Sequence, residues 1–219
     1  DQSRRTITGK GSVIAARKPF KVYSWTDQGY YRTGDVITAN FAARTVDGKP
    51  VKGKGRLKLL GIKYGKEMKP DETTLESWKL EANEEGRASQ QIKAAKPGQY
   101  RLSFTLEDSK GNEAEGGYIF SVRDSAESSE SFRFNDIEIV NNHAEYEPGE
   151  KAGVFINTAR SGGTVLFFTR PVNGVYDEPE VIDFKGKSAF REVEITKKDM
   201  PNFFLEAVTI ADGKIYSTM

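Results

Sequence analysis

Cysteine is absent from the 219 residues, which excludes disulfides, zinc-thiolate sites and thiol nucleophiles within this chain. Histidine occurs once, at His143. A Ser-His-Asp site would have to use it as base, and a zinc site would lack both cysteine and a second histidine. It falls in the polar Asn141-Asn142-His143 stretch, which reads as a solvated loop. Long apolar runs are missing too. The longest are of the size of Val165-Leu166-Phe167-Phe168, far below the ~20 residues that a membrane helix needs, so no span is expected. Charge of one sign is also lacking: 33 Lys and Arg stand against 32 Asp and Glu, which gives no global field toward nucleic acid or an anionic membrane. No segment carries a convincing apolar period of 3.6 residues.

What is present is a period of two. Ile37, Ala39, Phe41 and Ala43 share one face, Leu57 and Leu59 another, and Tyr100, Leu102, Phe104 and Leu106 a third, as half-buried strands require. Phe20 and Val22 lead into Trp25; Trp78, Leu80 and Ala82 alternate; Ala88, Ile92 and Ala94 mark a further strand, and Tyr118, Phe120 and Val122 another. Asp47-Gly48-Lys49-Pro50, Asn83-Glu84-Glu85-Gly86 and Asp108-Ser109-Lys110-Gly111-Asn112 are turn signatures. Residues 65–74 read as a polar loop, and Ser12–Ala16 as one short strand. Tyr100, after Pro97-Gly98, stands where sandwich domains carry a tyrosine corner.

The chain is built twice. Tyr31-Arg32-Thr33-Gly34-Asp35 returns as Tyr146-Glu147-Pro148-Gly149-Glu150, an offset of 115 (146 − 31) that holds without a gap on both sides. Val22 falls on Ile137, and Ile37, Ala39 and Phe41 on Ala152, Val154 and Ile156. Pro148-Gly149 suits the two central positions of a type II turn, and Thr33-Gly34 can make the same turn. A repeat this long indicates duplicated domains and not a solenoid. The expectation is therefore all-β: two tandem seven-stranded antiparallel sandwiches of immunoglobulin or fibronectin-III type. Residues 1–18 are an N-terminal extension or a strand of a preceding domain, 19–124 the first sandwich, 125–131 an acidic, serine-rich linker and 132–219 the second sandwich. Second-copy strands are expected near 133–140, 150–158, 163–170, 178–185, 188–196, 202–211 and 214–219, with turns at Arg160–Gly163, Asn173-Gly174, Lys185–Lys187 and Asp212-Gly213. The ends carry no leader and no terminating signal, which reads as a piece of a longer protein.

No constellation carries chemistry. Asp108–Glu113 offers oxygen ligands, but Lys110 and Glu113 break the D-x-[DN]-x-[DN]-G calcium pattern, and a hairpin turn accounts for it. Lys52, Lys54, Arg56 and Lys58 recur at alternate positions without interleaved aromatics, so they read as a solvated strand face and not as a nucleic-acid reader. Trp25, Tyr30 and Tyr31 would suit a sugar or a peptide if exposed, while the duplicated Tyr31/Tyr146 pair reads as a structural anchor. No catalytic, cofactor-binding or metal-binding residue is assigned, no cofactor is expected, and the chain is not expected to be an enzyme.

Trp25-Thr26-Asp27-Gln28-Gly29-Tyr30-Tyr31-Arg32-Thr33-Gly34-Asp35, followed by Asp47–Gly53 and Gly98-Gln99-Tyr100, resembles the macroglobulin-type domains of the alpha-2-macroglobulin family, in its bacterial branch. The second copy, with Tyr146–Glu150, Gly163–Phe167 and Met200-Pro201-Asn202-Phe203-Phe204, is similar to the domain of that family that hosts the bait region, although Pro171–Pro179 is too short to hold an inserted bait segment. The resemblance implies a secreted or periplasmic inhibitor that traps endopeptidases, in which bait cleavage rearranges a ring of domains and a Cys-Gly-Glu-Gln thioester captures the attacker. Without cysteine, no thioester lies in this chain. Implied partners are other macroglobulin domains of the same polypeptide and, through the whole protein, a protease. The rival reading is a tandem adhesion or carbohydrate-binding module, with Trp25 and Tyr30 as contacts.

Overall fold

The computed structural model describes residues 9–11, 16–65, 69–126, 131–169, 176 and 178–219. Residues 12–15 of the strand expected at Ser12–Ala16, the turn at Asn173-Gly174, most of Pro171–Pro179 and residues 127–130 of the expected linker fall outside the described residues. Among the described residues the regular structure is β-strand apart from one 3-10 turn at Lys197–Asp199.

The first half comprises β1 (Phe20–Thr26), β2 (Tyr30–Tyr31), β3 (Val36–Thr45), β4 (Gly53–Tyr64), β5 (Pro70–Ala82), β6 (Arg87–Lys93), β7 (Gly98–Asp108) and β8 (Glu113–Val122). They form two sheets, ordered β1-β3-β6 and β2-β8-β7-β4-β5. The second half comprises β9 (Ile137–Asn141), β10 (Lys151–Thr158), β11 (Thr164–Thr169), β12 (Glu180–Asp183), β13 (Ser188–Glu194), β14 (Leu205–Ala211) and β15 (Lys214–Thr218). Its sheets run β9-β10-β13 and β15-β14-β11-β12. Setting β9 on β1, β10 on β3 and β13 on β6 superposes the first pair of sheets strand for strand. The second pair then matches in the same order, so the repeat seen in sequence is a repeat of topology.

Each half closes its two sheets over its own apolar cluster. Phe20, Tyr31, Ile37, Phe41, Leu57, Leu102, Phe104 and Val122 belong to the first; Ile137, Val154, Ile156, Phe167, Ile182 and Ala207 to the second. Burying each of the larger side chains is worth about 1.5–3 kcal/mol. The strand period placed Ile37, Phe41, Leu57, Leu102, Phe104 and Val122 inward correctly, the repeat offset did so for Ile137, Val154 and Ile156, and the tyrosine corner is present: the Tyr100 hydroxyl donates to the Lys96 carbonyl at 2.7 Å.

Three details depart from the sequence reading. Pro70–Thr74 is strand and not loop: β5 runs the full length of β4, with a register shift between Leu59 and Leu60. β4 is long enough to template it, and Pro70 is tolerated because it opens an edge strand. Tyr30–Tyr31 forms a two-residue strand, parallel to β8, in the middle of the expected connection. Residues 133–136 and 202–204, expected within strands of the second copy, stand outside them, since β9 begins at Ile137 and β14 at Leu205; Trp25, out of phase with Phe20 and Val22, is 41% exposed.

The repeated turn is of type II in both copies. Asp35 N–H donates to the Arg32 carbonyl and Glu150 N–H to that of Glu147, each at 3.1 Å, and Gly34 and Gly149 take φ of +98° and +100°. An added Cβ would meet nothing within 4 Å at either glycine, so its cost there is conformational alone. Gly34→Ala and Gly149→Ala are each expected to destabilise by about 1 kcal/mol, lowering the melting temperature of the affected half by several degrees. Unchanged melting of both would refute the shared turn geometry.

Arg101 braces the outer face of the five-stranded sheet. Its guanidinium makes two bonds of 2.7 Å to Glu72 and one of 3.1 Å to Glu115. The guanidinium holds the Glu72 carboxyl below its ordinary range; the Ser103 hydroxyl first, and then Arg101, do the same for Glu115. Folded-state pKa values below the unfolded ones mean stability that is present above the usual carboxyl range and lost as pH falls through it. Acid melts below about pH 4 should therefore cost wild type more than Arg101→Met, by roughly 1 kcal/mol or less because the cluster is partly solvated. Parallel pH profiles would show that the cluster contributes nothing.

Candidate functional site

Both copies carry a clasp around the buried end of the tyrosine. The Tyr31 hydroxyl donates to Asp27 Oδ1 and accepts from the Gln28 N–H at 3.0 Å, while the same Oδ1 accepts from the Thr38 N–H at 3.0 Å. In the second copy the Tyr146 hydroxyl donates to Asn142 Oδ1 at 2.8 Å and accepts from the His143 N–H at 3.1 Å, and that Oδ1 accepts from the Gly153 N–H at 2.8 Å. Every member is displaced by 115. The acidic residue that ends the motif also has one job in both: Asp35 Oδ2 accepts from the Arg32 N–H at 2.7 Å and Glu150 Oε2 from the Glu147 N–H at 2.6 Å. Tyr31 is fully buried and Tyr146 half-buried, and burial is the first cause that raises both phenol pKa values. The anchor reading of this pair is borne out.

Tyr30, beside it, goes elsewhere. It is only 5% exposed, and it packs edge-on against Phe155 of β10 with ring centroids 4.6 Å apart. Between the two halves lies a joint built on the outward face of β9-β10-β13. At its centre Arg123, 1% exposed, sits over the Phe155 ring with 3.7 Å from guanidinium carbon to centroid. Its Nη1 donates to Asn157 Oδ1 at 2.9 Å and Ser188 Oγ at 3.3 Å. Asn157 Nδ2 in turn donates to Glu138 Oε1 at 3.1 Å. Burial pushes the guanidinium down to about 10, and the Glu138 carboxylate partly opposes that shift. Two further ties hold the rim: the Gln99 side chain exchanges bonds of 2.8 and 3.0 Å with the Arg133 backbone, and Thr33 donates twice to the Asp124 carboxylate. Gly29 is required by close approach, since a Cβ there would stand 2.3 Å from the Asn141 carbonyl oxygen.

A cleft of about 490 Å³ runs beside the joint, with Tyr64, Glu72, Arg133, Asn135 and Glu138 among its lining. Glu72 is held by Arg101 and Glu138 by Asn157 and Asn135. His143 is exposed, with its ring edge-on to Tyr146 at 6.1 Å. The Asp108 carboxylate is taken up by the N–H groups of Lys110 and Asn112 and by the Asn112 amide, which is a hairpin turn and not a calcium loop. Lys54, Arg56 and Lys58 stand exposed on β4, with Lys54 level with Glu81 and Glu107, and Lys52 pairs with Glu84 at 2.6 Å. Among the described residues no group of three His, Asp or Glu converges as metal ligands, and no helix is long and apolar enough to cross a membrane. Arg123 and the Asp27/Asn142 pair escaped the sequence reading. The pair could have been found, because both residues supply a side-chain oxygen at the repeat offset. Arg123 gave no such signal.

No family model matches the chain, and no curated protein matches it. Among solved structures it is similar to trypsin-activated alpha-2-macroglobulin from Escherichia coli, at 11% identity and a TM-score of 0.40, over 91% of this chain and 16% of that one. The native conformation of E. coli alpha-2-macroglobulin gives 13% identity and a TM-score of 0.33, over 87% of this chain and 13% of that one. The sporulation control protein Spo0M from Bacillus subtilis gives 10% identity and a TM-score of 0.35, over 80% of this chain and 90% of that one. The chain thus spans about a sixth or less of the two macroglobulin chains, and likenesses at these scores carry no functional argument.

The joint generates a direct expectation. Phe155→Ala should cost about 3 kcal/mol, and a double-mutant cycle with Arg123→Ala should return a coupling of about 1–2 kcal/mol. Additive losses would show that the cation and the ring do not act together.

Proposed function

We propose that the chain is a two-unit structural segment, residues 19–124 and 132–219 joined through 125–131, of a bacterial alpha-2-macroglobulin-like protein that traps endopeptidases. In this reading it performs no chemistry and needs no cofactor. It works in the extracellular or periplasmic space beside further macroglobulin-type domains of the same polypeptide, and it meets the protease through the whole protein. The observation that carries the reading is the joint. A trap that answers one cut with a large rearrangement needs its domains to move as coupled bodies, and Arg123 and Tyr30 of the first half are buried against β10 of the second while Gly29 abuts β9. The order and spacing of the tyrosine-turn motifs support the family reading, and the likeness of Tyr146–Glu150, Gly163–Phe167 and Met200–Phe204 to a bait-hosting domain supports that finer placement, against which the short Pro171–Pro179 stretch counts.

The rival reading loses half of its contact surface, since Tyr30 faces Phe155 and not solvent. Trp25 remains. The test incubates the chain with a panel of endopeptidases and with small ester, glycoside and phosphate substrates, then repeats the panel with the whole protein. The expected outcome is no inhibition and no turnover by the chain alone, and a protease shielded from large substrates by the whole protein. Turnover of a small substrate by the chain would overturn the structural reading, and a whole protein that never shields a protease would favour the adhesion module.

A further inference from the structure

β10 carries one glycine, and the fold of its own unit does not ask for it. Gly153 is the third residue of a regular strand and is not at positive φ. Its N–H donates to the Asn142 clasp oxygen, as that of Thr38, its counterpart at the offset of 115, donates to Asp27. Threonine therefore serves at this place in the first copy. Glycine in a strand interior costs stability, and it commonly marks the close approach of another group. Here that group is the Tyr30 hydroxyl of the other half: a Cβ at residue 153 would stand 2.7 Å from it, with the Phe190 ring next at 3.4 Å. The tyrosine has no room to swing clear, because its ring is 5% exposed and wedged edge-on against Phe155.

We propose that the joint is addressed: the β9-β10-β13 face is shaped to accept a turn end that carries glycine, tyrosine and a buried arginine, and the corresponding residues of β1-β3-β6 refuse that same end. The refusal is read from the repeat. On the first face, Thr38 puts a branched side chain where Gly153 leaves room for the tyrosine hydroxyl. Asn40 stands where Phe155 lies under the guanidinium, Ala42 where Asn157 accepts from it, and Tyr23 where Glu138 carries its carboxylate. By strand register Arg87, paired with Ala42, takes the place of Ser188, which is paired with Asn157. An arriving Arg123 would meet a second cation, and no residue of β1, β3 or β6 is Asp or Glu to offset it.

The turn ends differ as selectively as the faces. Ala144 holds the place of Gly29, where a Cβ would stand 2.3 Å from a backbone carbonyl oxygen in the joint, and Glu145 holds the place of Tyr30. Of the four pairings between two ends and two faces, the geometry of the joint admits one. Units so alike in backbone need such exclusions, since attractive contacts alone would let either end settle on either face. The selection acts among units of this kind whatever the whole protein does.

The test grafts the first face onto the second in the 219-residue chain. Gly153→Thr and Ser188→Arg each install the residue that the first copy carries, and each should unseat the arginine. The reading is the rate at which phenylglyoxal modifies Arg123, located by peptide mass mapping and taken relative to the exposed Arg87. Arg123, 1% exposed in the joint, should react about tenfold faster or more in either variant, as local opening requires, while far-UV circular dichroism stays that of wild type. Should a graft disturb the second unit's own fold, a smaller change decides. Gly153→Ala should speed the reaction when Tyr30 is present and have little effect after Tyr30→Phe, which removes the hydroxyl that the new Cβ would strike. An Arg123 that stays shielded in a folded Gly153→Thr or Ser188→Arg chain overturns the proposal. So does an alanine effect of equal size with and without the hydroxyl, because the glycine would then serve its own strand and not the joint.

Discussion

The tyrosine clasp is the constraint from which each half is built. The chain crossing from β1 to β3, and from β9 to β10, links two neighbouring strands of one sheet, and it carries backbone N–H groups that have to be satisfied. Tyr31 and Tyr146 solve this with one hydroxyl, which accepts from the crossing backbone and donates to a side-chain oxygen that itself accepts from the N–H of the third residue of the next strand, Thr38 or Gly153. The oxygen belongs to Asp27 in one copy and Asn142 in the other. Only its acceptor function is used, so a carboxylate and a carboxamide serve equally and the charge is incidental to the fold. The type II turn then brings Gly34 N–H onto the Ala94 carbonyl and Gly149 N–H onto that of Ile195, each at 2.8 Å, which ties the crossing to the sheet it left.

Because the clasp fixes the crossing, it also fixes what projects beyond it. Tyr30 and Gly29 stand at the tip of the first clasp and meet β9 and β10 of the second half, while Arg123 N–H donates to the Tyr31 carbonyl at 2.8 Å and thereby enters the same contact. β10 is consequently buried on both faces: Ala152, Val154 and Ile156 turn toward the second core, and Phe155 and Asn157 toward the joint. Burying a guanidinium costs several kcal/mol in desolvation, which the ring beneath it and the Asn157, Ser188 and Glu138 network offset. Apolar contact alone would leave the two halves free to slide. Directional bonds from a single buried cation select one arrangement.

The chemistry of the surface follows from the same division. Near the joint, Glu72 is held by Arg101 and Glu138 by Asn135 and Asn157, and Lys54 on β4 stands level with Glu81 and Glu107. The β1-β3-β6 sheet differs, having cations and aromatics without any acid, and it occupies the place that in the second half receives a neighbouring unit.

Sequence alone determined the duplication, the turn with its two positive-φ glycines, the tyrosine corner and most of the inward-facing strand residues of the first half. These are local or periodic properties: φ preference belongs to one residue, alternation to a few, and a repeat offset survives without any knowledge of contacts. The extent of β5 was not determined in this way, because Pro70–Thr74 is a strand only through hydrogen bonds to the far end of β4. Nor was the fate of Tyr30, which enters the joint although it is adjacent to and alike in sequence with Tyr31, the residue that the repeat marked as an anchor of the first core. Arg123 reads in sequence as one more surface cation after a strand. What buries it is the approach of β10 and β13 from the other half, and a contact between residues so far apart along the chain leaves no period, turn signal or propensity by which the sequence could announce it.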